Sequence, residues 1–196
     1  MNFRCTLTLI ICLCIGNLSF GKAAFVEKDA SSFLTPANDT LSPKKVIIKF
    51  LNWYKINIKK ANSFPILGKD SAGNFMINNT ACAKYLNFLK SSKCLSRRYI
   101  AYWLSFFNDK AIGLQSNPIQ SDIPEGFDLD WVLVTQEPEL ILDHIAQAKF
   151  VTISRMESAV VIAVSWPKKG GMEYQIEMHK NKEGWQIDYI ATPNFD

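Results

Sequence analysis

Four apolar segments follow one another near the C-terminus, residues 149–155, 159–166, 172–179 and 185–191, separated by short breaks. The breaks at 156–158, 167–171 and 180–184 are polar or turn-forming and of hairpin length, so the pattern predicts four consecutive antiparallel strands. Side chains alternate across a strand. In the third segment Met172, Tyr174, Ile176 and Met178 therefore share one face, and Glu173, Gln175, Glu177 and His179 the other. The fourth segment sorts Trp185, Ile187 and Tyr189 against Gln186 and Asp188. The second is apolar at nearly every position, the pattern of a central strand covered on both faces or close to it. A sheet with a dry face needs a cover, and the cover has to come from upstream.

Upstream the period changes from two to 3.6. Ser42-Pro43 opens a helix, with serine as N-cap and proline at the first helical position. Ile47, Phe50, Leu51, Tyr54 and Ile58 then recur at helical spacing until Lys59-Lys60, whose charge suits a helix C-terminus. Residues 62–79 hold Pro65, Gly68, Gly73 and several asparagines and read as a long loop. A second helix is predicted over 80–90. Ser96 caps a third, striped with Tyr99, Ile100, Trp103, Leu104, Phe106 and Phe107. A second loop follows at 113–126, then a strand at 129–135 and a short helix at 138–148 whose first turn accommodates Pro138. The fold class expected is α+β, with helices packed on one face of a curved antiparallel sheet and a β-meander at the C-terminus.

Composition changes this picture mainly at the N-terminus. Arg4 and the apolar run 7–15 have the form of a signal peptide, too short to span a bilayer, with cleavage after Gly21 or Ala23. The bulky residues before Cys12 and Cys14 argue against a lipid-attachment box. The expected organisation is a signal peptide at 1–21, an N-terminal arm at 22–41 and one domain at 42–196, exported to the periplasm or beyond. No later segment is long and apolar enough to cross a membrane. Export removes Cys5, Cys12 and Cys14 and leaves Cys82 and Cys94, an even pair for which a disulfide is expected. Two separate buried thiols are the alternative, because a helix over 80–90 carries Cys94 away from Cys82.

Three stretches, taken with the order of elements, resemble a known family. They are Gly184-Trp185-Gln186-Ile187-Asp188-Tyr189-Ile190, residues 85–100 and residues 127–138. They are similar to secreted bacterial domains of unknown function with the cone-shaped, cystatin-like fold of the nuclear-transport-factor-two-like superfamily. The resemblance spans roughly 42–191. It implies a pocket between the helices and the concave face of the sheet. Some relatives are isomerases or dehydratases that use a pocket acid, and many only bind or assemble, so the fold leaves function open.

Nothing in the chain spells a reaction. There is no glycine-rich phosphate loop, no Gly-x-Ser-x-Gly elbow and no His-Glu-x-x-His. His144 and His179 stand far apart in sequence and show no metal-ligand spacing, so neither a metal nor a cofactor is expected. The most site-like cluster is Asp128, Asp130 and Glu137, with Gln136; Asp128 and Asp130 are two apart and on one side of an extended chain, where each would raise the pKa of the other. The structural alternative has Asp128 capping a turn and Asp130 on the wet side of a strand. The resemblance favours Asp130 as a pocket carboxylate, though the sequence places no tyrosine beside it. Trp103, Phe107 and Tyr174 are the candidates for lining a ligand pocket. Charge is segregated: residues 44–110 carry thirteen Lys or Arg against Asp70 and Asp109, while 122–143 carry seven acids and no base. A basic helical layer suits an anionic surface or an acidic partner. Nucleic acid is not expected, because the aromatics lie in apolar stripes and do not interleave with the basic residues. The expected function is a non-enzymatic module that binds a small ligand or a protein partner, immunity- or inhibitor-like. The alternative is a small isomerase- or hydrolase-type enzyme using Asp130.

Overall fold

The structure, a computed structural model, describes residues 41–166 and 172–192. The expected signal peptide and N-terminal arm lie outside the described residues, except for Leu41 at the arm's end. So does the turn at 167–171.

Helix α1 (Pro43–Ala61) starts where its cap predicts. Pro43 occupies the first turn, the Ser42 hydroxyl accepts from the Lys45 amide, and Lys59 and Lys60 sit in the last turn. Its buried stripe is Val46, Ile47, Phe50, Leu51 and Tyr54. Helix α2 (Asn79–Lys90) is capped by Asn78, whose side chain accepts from the Ala81 amide at 3.0 Å. Helix α3 (Arg97–Ser116) is capped by Ser96, which accepts from the Tyr99 amide at 3.1 Å. It runs through Gly113, past the loop boundary expected there. Leu104, placed in its apolar stripe by spacing, is 46% exposed.

The stretch read as one long loop contains a hairpin. Strands β1 (Leu67–Lys69) and β2 (Phe75–Ile77) pair antiparallel, Gly68 opposite Met76. The turn between them is built by Asp70, whose Oδ1 accepts from the Ala72 and Asn74 amides, each at 2.9 Å, with Gly73 at φ +84°. The Phe75 amide donates to the Ile119 carbonyl at 2.8 Å, which ties the hairpin to the chain leaving α3.

Residues 129–135, expected as a strand, form a closed turn. The Asp130 amide donates to the Thr135 carbonyl at 2.9 Å, and Asp130 Oδ1 accepts from the Val132 and Leu133 amides. The apolar, β-branched-rich run 131–134 mimics a strand, but the aspartate side chain offers its own backbone a better partner. The helix expected over 138–148 is broken into α4 (Glu139–Leu142) and a 3-10 turn (Ile145–Gln147). The break falls at His144, whose carbonyl accepts from the Gln147 amide and from the Trp166 indole.

The four C-terminal strands form a meander as the pattern predicts: β3 (Lys149–Arg155), β4 (Ala159–Trp166), β5 (Met172–Asn181) and β6 (Gly184–Ala191), in that spatial order and antiparallel. Along β5, Tyr174, Ile176 and Met178 are buried and Glu173 and Gln175 exposed. In β4 one face is buried and the other half-buried, so this inner strand is covered fully on one side only. β6 departs from simple alternation. Glu177 pairs with Tyr189 but Met178 with Ile187, so Asp188 is an extra residue, a β-bulge. The bulge reverses the faces beyond it, turning Ile190 into the core and Tyr189 out of it. Outside β6 the segment Cys94–Ser96 adds a short parallel pairing. Ile187 donates to the Cys94 carbonyl and the Ser96 amide to the Ile187 carbonyl, each at 2.9 Å. β3 is the opposite edge, with Val151 61% and Ile153 52% exposed.

The architecture is thus α+β, three long helices and an open antiparallel sheet joined by a continuous core. The expected disulfide is absent: Cys82 and Cys94 are free, buried thiols. Cys82 lies in the first turn of α2 and Cys94 beyond its last. At about 1.5 Å per residue the helix carries the chain roughly 12 Å away, past the span a disulfide bridges. Burial pushes the Cys82 thiol up to about 11 and that of Cys94 in the same direction. No helix among the described residues is long and apolar enough to cross a membrane.

Candidate functional site

A cleft of about 360 Å³ opens between α3, the 125–134 segment and the end of β6. Its walls are aromatic. Tyr102, Trp103 and Phe106 come from successive positions of α3, Trp131 from the Asp130 turn, and Tyr189 from beyond the β6 bulge. The rings brace one another edge to face: Tyr102 meets Tyr189 at 4.9 Å, and Trp103 meets Phe106 at 5.2 Å. Phe127 joins the set, 6.2 Å from Phe106 and 5.7 Å from Trp131. The Trp131 indole donates to the Gly126 carbonyl at 2.8 Å, which fixes the ring. Gly126 itself has φ +84°, a backbone conformation that favours glycine. Charge enters through Lys110, Glu125 and Asp128. The Lys110 ammonium stands 5.5 Å from the Phe106 ring centre.

Asp128 and Asp130 both border the cleft but do not act as a pair. Asp128 is exposed, and its Oδ2 accepts from the Gln136 amide at 2.8 Å. Asp130 is buried. Its Oδ2 accepts the Tyr54 hydroxyl at 2.5 Å, and its Oδ1 accepts the Val132 and Leu133 amides at 3.1 and 2.9 Å. Burial raises its pKa. The hydrogen bonds from Tyr54, Leu133 and Val132 pull the other way, and the neighbouring charge that adds to the rise is Glu139, not Asp128. Tyr54 is the tyrosine that the sequence could not place beside an acid. It comes from α1, 76 positions away, and no local pattern links the two.

Asp130 also influences a wider set of phenols. Burial raises the pKa of Tyr54, Tyr85, Tyr99 and Tyr174, and the negative charge of Asp130 adds to each rise. The Tyr174 hydroxyl donates to the Leu133 carbonyl at 2.6 Å. The Trp103 side chain lies near the Tyr99 hydroxyl and moderates its rise, yet outside hydrogen-bond geometry, so that buried hydroxyl has no partner. Of the sequence candidates for ligand contact, Trp103 lines the cleft. Phe107 lies behind it, packed on Trp131 at 5.3 Å, and Tyr174 lies deeper, against Trp166 at 5.9 Å. Phe107, Tyr174 and Ile176 are buried core side chains, and Trp103 is buried too but borders the cleft.

Two features of the cleft had no counterpart in the sequence reading. Val134 has φ +48°, a costly conformation for a β-branched residue, and it lines the cleft. The Thr192 hydroxyl oxygen, also in the lining, is buried with no hydrogen-bond partner among the described residues. Among the described residues no group of three or more His, Cys, Asp or Glu side chains is placed to hold a metal ion. Compared with known proteins, the chain matches no family model, no curated protein and no solved structure.

Proposed function

We propose that this protein is a non-enzymatic binding module of the bacterial envelope, exported, and that the aromatic cleft is its binding site. The observation that carries the reading is the cleft's composition: five ring faces and edges around about 360 Å³, with acceptors and one ammonium at the margin. Such walls stack on a flat or ring-shaped ligand, while Lys110, Glu125 and the unpartnered Thr192 hydroxyl supply polar contacts. A compact ring-bearing small molecule, or a single ring side chain of a protein partner, fits this space. The family resemblance, with its cone-type fold, belongs to this reading.

The isomerase- or hydrolase-type alternative rests on Asp130. It is less well supported, because both carboxylate oxygens already accept hydrogen bonds that hold the Asp130 turn and α1 together. A proton-transfer role would require one of those bonds to open.

The reading is tested by NMR titration with ring-bearing probes, indole, benzoate and N-acetylglucosamine. At least one is expected to shift the Trp103 and Trp131 indole N–H signals, and Tyr102→Ala, a change at a half-exposed ring, to weaken that binding. Silence of both indoles towards every probe would overturn it.

A further inference from the structure

A second concavity lies on another part of the molecule, between the start of α3 and the β5–β6 turn. It encloses about 540 Å³ and is lined by Lys90, Arg97, Arg98, Lys182 and His179, with Glu183 the one carboxylate in its wall. Among the described residues Lys90, Arg97 and Lys182 have no carboxylate within ion-pair distance. Arg98 reaches Glu177 and Asp188 only at 4.0 and 3.9 Å. Four cations thus converge on one groove with little to neutralise them.

Two of them stand where helix stability disfavours them. Arg97 and Arg98 are the first residues of α3, a 20-residue helix with no acid in its first turn. Cations there oppose the positive end of the helix dipole. Ser96 accepts the Tyr99 amide, and the first helical bond runs from Ile100 to the Ser96 carbonyl, so the Arg97 and Arg98 amides make no bond within the helix. The groove also holds an oriented histidine. Asp188, buried at the β6 bulge, holds His179 Nδ1 at 2.7 Å through Oδ1. As an imidazolium, His179 donates Nδ1–H to that carboxylate and keeps Nε2–H as a donor for an anion.

We infer that this groove is an anion site for a phosphate group, held by the Arg97, Arg98, Lys90 and Lys182 side chains, with His179 Nε2 as a further contact. Arginine suits the planar, multi-oxygen face of such a group. The phosphate can be that of a small soluble ester or of a phospholipid headgroup, and the two sources are separable by experiment.

The full chain is titrated with inorganic phosphate and pyrophosphate by ¹⁵N NMR at low ionic strength. Separately, it is sedimented with vesicles of phosphatidylcholine alone and of phosphatidylcholine with phosphatidylglycerol at 3:1. Shifts centred on the Arg97 and Arg98 amides, lost in about 0.5 M salt, are expected. The double variant Arg97→Gln/Lys182→Gln should weaken binding roughly tenfold, and His179→Gln less, while Lys59→Gln/Lys60→Gln at the far end of α1 leaves it unchanged. All these side chains lie at the surface, and circular dichroism checks that each variant folds. Binding to phosphate, or to the anionic vesicles alone with the same variant pattern, supports the site and identifies its source. No binding to either, or equal losses in the groove and control variants, overturns it. The aromatic cleft shares no residue with this groove, so either assignment can fail without the other.

Discussion

At the scale of single residues, the contact between Tyr54 and Asp130 carries the largest local consequence. A hydroxyl donating to a buried carboxylate contributes more than a neutral pair, so Tyr54→Phe should lower unfolding stability by about 1.5–3 kcal/mol, read from urea denaturation. Asp130→Ala should cost more, because it leaves two backbone amides as well as the phenol without an acceptor. The acid's pH dependence has a definite sign. Its folded pKa lies above the ordinary 3.8, so the native state holds the proton more tightly than the unfolded chain. Its contribution is therefore complete below 3.8 and is lost as pH rises through the folded value. Measured against Asp130→Asn, the parent protein should gain stability on acidification through that window. Asp143 has the opposite sign: the Lys55 ammonium at 2.9 Å lowers its pKa, and what that pair contributes is lost as pH falls through the depressed value. Val134 supplies a third test. Replacing it with glycine removes a left-handed strain of about 1–3 kcal/mol and a half-buried side chain worth less, so the melting temperature should hold or rise.

At the scale of elements, the β6 bulge decides which side chains the core receives. Ile190→Ala should cost about 2–5 kcal/mol, and Tyr189→Ala clearly less, the reverse of what simple alternation along the segment implies. A larger cost for Tyr189→Ala than for Ile190→Ala would mean that the strand is regular. The same element shows what the sequence made legible. Polar breaks and period-two runs gave the meander, and serine caps with apolar 3.6 spacing gave α1 and α3, because those signals are local. The hairpin at Leu67–Ile77 escaped because its strands are three residues long and one contains Gly68. The Asp130 turn escaped because Trp-Val-Leu-Val is an unbroken apolar run rich in strand-forming residues, and the side chain of Asp130 decides otherwise. The cleft was half visible. Trp103 and Asp128 stood out from sequence, whereas Trp131 and Tyr189 reach it through a turn and a bulge that have no periodic signature.

At the scale of the whole molecule, the core runs without a covalent tie between its two buried cysteines. A reducing agent should therefore leave the unfolding midpoint unchanged, and peptide mapping should find Cys82 and Cys94 alkylated only after denaturation. A midpoint that falls on reduction would contradict the free-thiol arrangement. The cover of the sheet is also uneven from side to side. One flank meets Cys94–Ser96 at Ile187 of β6, and the other is β3, which pairs with no strand but β4 among the described residues and whose Val151 and Ile153 are exposed. A strand offered to this sheet by a partner would therefore add along β3, where β4 pairs on the inner side alone among the described residues.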